Sequence, residues 1–303
     1  MDIYDRIHAA YQKASVLEFN EAWKGPDNIS QTKNLLQDKS LYPKLLSNFG
    51  DGRISQIARG LNCPGFWELR EQHKNFDAVI CELEAEFSAR TGWSLEDIEI
   101  NDICGIYGKP GKDGIVPPAF YRLGYNLHQL ANLASAPTTI LEIGAGFGGL
   151  AHLCRKKFEN LKYVIVDIPS SLAVSSYFLD TLGYKVCLYG EYSNLDASIE
   201  DYDCVLLPPK EILNVKDRSM DLVVNVNSLT EMPTAIRAFY LEQIARVCKL
   251  FFYADNADSH LIDTQCMTIL KGFERIFMRN HNIVETRAFD AGTTFTEQLF
   301  RRI

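Results

Sequence analysis

The second half of the chain alternates between short, mainly apolar runs and longer stretches with helical periodicity. The apolar runs are 140–143, 163–166, 204–207, 221–226 and 250–254. Continuous runs of this length are typical of strands buried on both faces of a parallel sheet. The stretches 119–133, 170–182 and 234–247 are predicted to be helices. This alternation predicts an α/β fold, in which helices cover both sides of a mostly parallel sheet.

The chain is predicted to end in two antiparallel strands. A helix over 263–278 leads to a strand at 282–289, and a second strand follows at 293–302. Only the turn 290–292 separates these strands, and so short a connection joins antiparallel neighbours. Two segments, 185–189 and 204–207, compete for the third position of the sheet. We favour 204–207 and interpret 185–189 as an insertion.

Residues 1–118 are expected to form a mainly helical N-terminal segment, and residues 119–303 the main domain. Helical patterning over 1–62 is mixed, and a stronger helix is predicted from about 66 to 90. Residues 105–118 then contain four glycines and three prolines. Such a loop suits either a lid over a bound ligand or a linker to the main domain.

A glycine-rich turn links the first strand to the helix after it. Its sequence from Glu142 is Glu-Ile-Gly-Ala-Gly-Phe-Gly-Gly. The turn fits two motifs. The dinucleotide fingerprint G-x-G-x-x-G is matched by Gly144, Gly146 and Gly149. The G-x-G-x-G turn of enzymes that bind S-adenosylmethionine (SAM) is matched by Gly144, Gly146 and Gly148. Glycines let the backbone approach a ligand that a Cβ atom would exclude. Glu142 favours SAM, because its carboxylate would repel a pyrophosphate but suits the amino group of a methionine moiety.

Asp167 ends the second strand and is a candidate ribose ligand. An acid at this place can accept hydrogen bonds from both ribose hydroxyls. NAD enzymes place an acid there too, so Asp167 indicates a nucleoside without saying which one. Ile168, the next residue, is assigned to the same site. A turn that binds no ligand is the structural alternative, and the order of strand, glycines and acid argues against it.

Together these segments resemble class I SAM-dependent methyltransferases. With 225–232 (Asn-Val-Asn-Ser-Leu-Thr-Glu-Met) and 105–110 (Gly-Ile-Tyr-Gly-Lys-Pro), the chain resembles the sugar O-methyltransferase family of bacterial polysaccharide clusters. The resemblance covers roughly residues 100–260, and it is specific for SAM binding but much weaker for the sugar. It implies a Rossmann-like sheet of seven strands with an antiparallel C-terminal hairpin, SAM as cofactor, and a sugar or other small-molecule acceptor.

The remaining candidates follow from the rule that ligands of an open α/β sheet bind beyond the carboxyl ends of its strands. Asn225, Asn227, Ser228 and Glu231 follow the fourth strand, and Asp255, Asn256, Asp258 and His260 follow the fifth. We assign Asn227 and Ser228 to the cofactor. We assign Asp255 and Asn256 to the acceptor, with Tyr121 and Arg122 from the helix before the first strand. Capping of the following helix is the structural alternative for the Asn and Ser side chains.

Glu231 and His260 are the candidate catalytic residues. A sugar hydroxyl is a weak acid, so a base should remove its proton as the new bond forms. The ordinary pKa of a histidine suits this step near neutral pH, and partial burial can bring a carboxylate such as Glu231 to a useful pKa. Glu231 could instead orient a histidine, or bind a divalent metal together with Asp255. The sequence leaves a metal requirement open.

Composition narrows the partners and the compartment. The chain has 303 residues, a net charge of −8 and no cluster of Lys and Arg, which argues against nucleic acid as the principal partner. Its eight cysteines include no C-x-x-C pair, so neither a zinc site nor a disulfide framework is expected. The sequence shows no signal-peptide pattern and no membrane span, and we expect a cytoplasmic protein. A homo-oligomer is compatible with the sequence.

Four functions from three classes fit these features. The leading hypothesis is transfer of a methyl group from SAM to a hydroxyl of a sugar or nucleotide-activated sugar. The second is methylation of another small molecule, such as a natural-product scaffold or an amine. An NAD-dependent oxidoreductase and a SAM-binding scaffold without catalytic activity are the alternatives from other classes.

Overall fold

The computed structural model describes residues 1–14, 36–43, 46, 76–103, 106, 108–256, 268–281 and 295–303. The helices are α1 (Ile3–Ala14), α2 (Phe76–Thr91), α3 (Pro118–Ala131), α4 (Gly149–Lys157), α5 (Pro169–Thr181), α6 (Leu195–Asp201) and α7 (Thr234–Val247). The strands are β1 (Lys109–Pro110), β2 (Ile115–Val116), β3 (Thr139–Ile143), β4 (Lys162–Val166), β5 (Val186–Cys187), β6 (Cys204–Leu207), β7 (Met220–Val226), β8 (Cys248–Asn256), β9 (Phe273–His281) and β10 (Phe295–Arg302). Two 3₁₀ helices cover Leu95–Asp97 and Pro209–Asn214.

Eight strands form one sheet in the order β5-β6-β4-β3-β7-β8-β10-β9. The strands from β5 to β8 are parallel to their neighbours, whereas β10 is antiparallel to both β8 and β9. A dinucleotide-binding sheet of order 3-2-1-4-5-6 has no antiparallel strand inserted near its edge. The Rossmann-like methyltransferase sheet predicted from the sequence is therefore confirmed, with one strand added to the expected seven.

The added strand is β5, which contains only two residues. It pairs with the outer side of β6, while β6 pairs with β4 and takes the third position of the sheet. The preference for 204–207 as the third strand is thus confirmed. The segment 185–189 also contributes to the sheet, at its edge, and is not a separate insertion.

The predicted boundaries near the C-terminus are wrong. Residues 273–278 belong to strand β9 and not to the end of a helix, and the turn 290–292 and the proposed strand 282–289 lie outside the described residues. Gly272 has a φ of 82° and directly precedes the strand. A β-bulge between Leu299 and Phe300 changes the pairing, so that Phe273 and Phe277 pack on opposite faces of the sheet. Apolar residues spaced four apart are typical of one face of a helix, so this pair favours a helix in the sequence. In the strand, the bulge interrupts the usual two-residue alternation and produces the same spacing.

The two faces of the sheet are covered by different helices. We call the side that packs against α3, α4 and α5 the α3 face, and the side that packs against α7 the α7 face. Along β3, for example, Ile140 lies on the α3 face and Leu141 on the α7 face. Both faces are apolar, which explains the continuous apolar runs of the central strands.

The described part of the N-terminal segment packs against the main domain at two places. Helix α1 lies on α5, where Arg6 donates to both carboxylate oxygens of Glu191 and to the carbonyl oxygen of Val186. Helix α2 lies on α3, where Phe87 contacts the rings of Tyr121 and Tyr125.

The glycine- and proline-rich stretch contains a small hairpin made of β1 and β2. Glu99 accepts hydrogen bonds from the backbone amides of Lys112 and Asp113 at the tip of this hairpin. Ile100 and Ile115 exchange two backbone hydrogen bonds of 2.8 Å. Residues 108–116 therefore have defined partners within the protein. Across the described ranges, no helix combines the length and the apolarity needed to cross a membrane.

Candidate cofactor and acceptor site

The central strands bring three candidate segments to one edge of the sheet. Strand β3 lies between β4 and β7, and all three run in the same direction. The glycine turn after β3, Asp167 after β4 and the residues after β7 consequently share the carboxyl edge. This is the place where ligands of open α/β sheets bind.

The glycines of the turn have specific backbone roles. Gly144, Gly146 and Gly148 all have positive φ values, of 76°, 59° and 89°. A Cβ atom on Gly144 would overlap the side chain of Ser228, so this glycine permits two loops of the protein to touch. Gly148 is the N-cap residue of α4 and has a left-handed conformation that L residues rarely adopt. The glycine at 144 is thus required by the fold itself, whatever the ligand.

Asp167 holds the glycine turn as well as the start of α5. Its carboxylate accepts hydrogen bonds from the backbone amides of Ile168, at 2.7 Å, and of Gly146, at 2.9 Å. Burial, with a smaller contribution from the carboxylate of Glu231, raises the pKa of Asp167 to about 7. Carboxylate oxygens have additional lone pairs, so a ribose could still be bound here.

Glu142 lies inside the protein, on the α3 face. Its carboxylate accepts a hydrogen bond of 2.8 Å from the hydroxyl of Tyr163, and the residue is only 2% exposed. Burial raises the pKa of Glu142 to about 8, and the negative charge of Asp167 adds to this effect. The described structure therefore gives Glu142 a partner within the core.

Asn225 ties the end of β7 to the end of β3. Its Nδ2 donates to the carbonyl oxygen of Ile143 at 2.8 Å and to Ser228 Oγ at 2.6 Å. Its Oδ1 accepts from the backbone amide of Leu229 at 3.2 Å. Ser228 Oγ in turn donates to Ile143, so both side chains fix the loop. Neither caps α7, whose N-cap residue is Pro233.

Asn227 is the most unusual residue of this loop. Its φ is 52°, a left-handed value, and its backbone amide donates to the carbonyl oxygen of Ala254 at 2.9 Å. Its Oδ1 is inaccessible to solvent and has no hydrogen-bond partner among the described residues. A left-handed, non-glycine residue with an unused acceptor atom is typical of a binding site.

Glu231 and Asp255 occupy different environments. Glu231 is exposed on the loop after β7, and its negative charge contributes to the raised pKa of Asp167. Asp255 is 2% exposed and accepts a hydrogen bond of 2.6 Å from Thr230 Oγ1. Asp255 thus supports the loop that carries Glu231.

The other predicted site residues are buried on helix α3 or lie beyond the described ranges. Tyr121 is fully buried against Phe87, and Arg122 is 8% exposed on the same helix. The side chain of Asn256 and all of His260 are outside the described residues. Within the described residues, no group of three or more His, Cys, Asp or Glu side chains could hold a metal ion.

Sequence reasoning missed three residues that shape the site. Tyr163 and Thr230 bind the two acids Glu142 and Asp255, and nothing in their local patterns indicates these pairs. Asn225 follows the fourth strand but received no role. Its position as an amide at the end of an apolar run was the available signal, because a buried amide needs hydrogen-bond partners.

Comparisons with known proteins find similarity to solved structures only, at low sequence identity. No protein-family model matches the chain, and no curated relative matches it. Solved structures that it resembles include a SAM-dependent methyltransferase from Aquifex aeolicus (15% identity, TM-score 0.39, 54% of this chain and 82% of that one). Others are a geranyl diphosphate methyltransferase (10%, 0.43, 61% and 81%) and the cyclase SpnF (11%, 0.44, 74% and 93%). Structural similarity at this level does not identify a function. The function is therefore inferred from the residues of this chain alone.

Proposed function

We propose that the protein transfers a methyl group from SAM to a hydroxyl of a sugar or nucleotide-activated sugar. The observation that carries this proposal is the carboxyl edge of β3, β4 and β7. At this edge lie a left-handed glycine turn, Asp167 and the loop that carries Glu231, in a sheet where β10 is antiparallel to its neighbours β8 and β9. The antiparallel strand β10 also argues against a dinucleotide-dependent oxidoreductase, whose sheet has no such strand at this position.

The residues present fit a nucleoside that carries a positively charged amino acid. Asp167 would accept hydrogen bonds from the ribose, and the turn 144–148 would adjoin the methionine portion. The unused Oδ1 of Asn227 would accept a hydrogen bond from an N–H or O–H group of the ligand. When bound, SAM supplies an activated methyl group on a sulfonium. The chain itself has to align the acceptor with that group, and alignment supplies much of the rate.

Glu231 is the described residue that would accept the proton of the acceptor hydroxyl. It is exposed at the edge where the cofactor would bind, on a loop that Thr230 and Asp255 hold in place. His260 follows β8 in sequence and stays a proposed base. The negative charge of Glu231, which contributes to the raised pKa of Asp167, also favours a cationic ligand, so methylation of an amine is the second candidate.

The cofactor is tested by calorimetry with SAM and with NAD. Asp167→Ala should weaken SAM binding by about 2–4 kcal/mol, because it removes charge-assisted hydrogen bonds to the ribose. Asp221→Ala is a matched control. Asp221 also binds backbone amides at a strand end, those of Thr138 and Thr139, but at the opposite edge of the sheet. Binding of NAD but not SAM, or equal SAM affinity in both variants, would contradict the assignment.

The acceptor is tested by turnover. Wild-type protein is incubated with SAM and a panel of free sugars, nucleotide sugars, amines and phenolic scaffolds, and formation of S-adenosylhomocysteine is measured. Turnover on sugars alone supports the leading proposal, and turnover on amines supports the second candidate. SAM binding without turnover on any member would leave a binding scaffold as the better description.

A further inference from the structure

Helix α1 is joined to α5 by a buried hydrogen bond. The hydroxyl oxygen of Tyr11 lies 3.1 Å from Ser176 Oγ, and both residues are 0% exposed. Ser176 Oγ also donates to the carbonyl oxygen of Leu172 at 2.6 Å. A serine hydroxyl has only one hydrogen, so Tyr11 is the donor and Ser176 the acceptor in the bond between the two helices. The hydroxyl of Tyr11 therefore holds the side chain of Ser176 in place.

This bond acts on the first turn of α5. The carbonyl oxygen of Leu172 accepts from Ser176 and also from Ser175 Oγ, at 3.2 Å. A serine hydroxyl that bonds the carbonyl four residues earlier, as Ser176 does, often bends a helix. The backbone amide of Leu172 in turn donates to the carbonyl oxygen of Ile168, the N-cap residue of α5, at 2.9 Å. We therefore expect the path of the first turn to depend on the arrangement of the serine hydroxyls.

The first turn of α5 is bonded to the proposed cofactor site. The backbone amide of Ile168 donates to Oδ1 of Asp167 at 2.7 Å. The other carboxylate oxygen of Asp167 accepts from the backbone amide of Gly146, in the glycine turn, at 2.9 Å. An unbroken series of hydrogen bonds along the chain therefore connects Tyr11 of the N-terminal helix with Gly146.

Side-chain packing connects the same elements. On one side of α5, Ser175 and Leu179 lie against the glycine turn, because a Cβ atom on Gly148 would be 3.4 Å from each of them. Tyr177 lies about 160° around the helix from both, at 100° per residue. Its ring stacks on that of Tyr4 in α1, with 5.3 Å between the ring centroids. Helix α5 is thus packed between α1 and the glycine turn, and closely packed elements transmit displacements.

We propose that Tyr11 is a positioning residue for the cofactor site, and that docking of α1 and binding of SAM favour each other. By holding Ser176, Tyr11 sets the first turn of α5 and with it the carboxylate of Asp167 that would bind the ribose. Coupling between two binding events is reciprocal, so SAM bound at Asp167 also stabilises α1 on α5. This inference rests on the proposed function and adds the N-terminal helix to the elements that determine cofactor affinity.

The test is a double-mutant cycle on SAM affinity with Tyr11→Phe and Ser176→Ala. Tyr11→Phe removes only the hydroxyl, so the ring keeps its place in the core. Calorimetry should show SAM binding weakened about fivefold in each single variant, which is the scale of one hydrogen bond. The double variant should bind SAM no more weakly than the single variants, because both changes remove the same connection.

Asp221→Ala is the matched control for stability. It removes hydrogen bonds at the opposite edge of the sheet, so it should lower the melting temperature but leave SAM affinity within about twofold of wild type. A tyrosine that only supported the fold would behave in the same way. Hydrogen exchange gives the reciprocal measurement: SAM should slow amide exchange over residues 1–14 in the wild type, and this effect should be lost in Tyr11→Phe.

Wild-type SAM affinity in Tyr11→Phe would overturn the inference and leave the proposed function intact. Additive losses in the double variant would do the same, because they would show that Tyr11 and Ser176 act independently. So would amide exchange over residues 1–14 that SAM does not change, or an equal loss of SAM affinity in Asp221→Ala. Failure of the proposed function gives a different result, a wild-type protein that binds no SAM, and the inference would then fall with it.

Discussion

Glu231 is the described carboxylate whose loss should affect chemistry more than binding. Glu231→Gln keeps the size of the side chain but removes its ability to accept a proton. We expect turnover to fall about a hundredfold with SAM affinity unchanged, the usual effect of losing a general base. Steady-state kinetics with the best acceptor of the panel, combined with calorimetry, checks this expectation.

Glu242→Gln is the matched control, because Glu242 is exposed on α7. It should keep wild-type turnover. His260→Ala is predicted to have the same effect as Glu231→Gln if the histidine is the base. Wild-type turnover in both Glu231→Gln and His260→Ala would remove both residues from the catalytic assignment and leave the cofactor assignment intact.

Glu142 should make the ligand-free protein less stable as the pH rises. Burial raises its pKa from 4.5 to about 8, so between these values the folded state binds more protons than the unfolded state. The free energy of unfolding must then decrease with pH in this window. Glu142→Gln removes the titration but keeps an oxygen that can accept from Tyr163. At pH 8, relative to pH 5, the variant should gain about 2–4 kcal/mol over the wild type.

Urea denaturation at pH 5 and pH 8 measures this difference. The raised pKa of Asp167 has the same sign and is present in both proteins, so the difference between them reports Glu142 together with its electrostatic coupling to Asp167. Parallel pH profiles for wild type and Glu142→Gln would show that Glu142 is already ionised in the folded protein.

At the scale of elements, the β1–β2 hairpin makes the lid hypothesis more specific. Its backbone hydrogen bonds to Ile100 and its bonds to Glu99 fix residues 111–115. We expect slow amide exchange at Ile115 already in the free protein. Glu99→Ala should speed exchange across 111–115 about tenfold or more by removing the acceptor at the hairpin tip. Hydrogen exchange followed by mass spectrometry gives both values.

The same experiment tests whether the stretch 105–118 closes over ligands. Added protection of this stretch in the presence of SAM and acceptor would support a lid. Equal exchange with and without ligands would leave the linker interpretation, with the hairpin as a fixed part of it. Glu96→Ala, three residues before Glu99, is the control, since its side chain pairs with the exposed side chain of Lys112 and not with the hairpin backbone.

The central sheet could be predicted from sequence because each of its strands is buried on both faces and each βα unit is local. Helix α7, for example, occupies the predicted range of 234–247. The strand β9 could not be predicted, because the bulge opposite Leu299 and Phe300 depends on its partner β10. Local patterns contain no information about that pairing.

The candidate site was predicted to the level of its segments but not of its contacts. The carboxyl-edge rule selected Asp167 and Glu231, which follow the parallel strands β4 and β7 on either side of β3, and their roles in binding and catalysis stay predictions. The partnership of Glu142 with Tyr163 joins residues 21 positions apart on two strands. The requirement for glycine at 144 comes from Ser228, on a different loop. Such contacts depend on the register of the sheet and are not visible in sequence spacing.

For the molecule as a whole, we expect the N-terminal helix and the main domain to unfold together, because Arg6 joins them. Arg6 is partly buried, with 22% of its side chain exposed, and it makes a bidentate pair with Glu191. Arg6→Met keeps the apolar stem but leaves Glu191 unpaired. It should lower the free energy of unfolding by about 1–3 kcal/mol without splitting the transition.

Lys39→Met is the matched control. Lys39 pairs with Asp2, just before α1, and with Asp5 of α1, but its side chain is 57% exposed, so its loss should leave the free energy of unfolding nearly unchanged. Urea denaturation followed by circular dichroism and tryptophan fluorescence checks both variants. Two separate transitions, of which Arg6→Met shifts only the first, would show that the N-terminal segment is an independent domain.

The tie made by Asn225 has a consequence for how mutational data on this protein should be interpreted. Because Asn225 joins the ends of β3 and β7, we expect a change at this residue to displace the glycine turn and the loop after β7 together. An alanine scan of cofactor affinity would therefore mark Asn225 as strongly as a true ligand contact, although its carboxamide points at protein atoms. Ser228 would give the same false signal. Stability has to be measured alongside affinity for each variant. Only then can residues that hold the two loops together be distinguished from residues that touch the ligand.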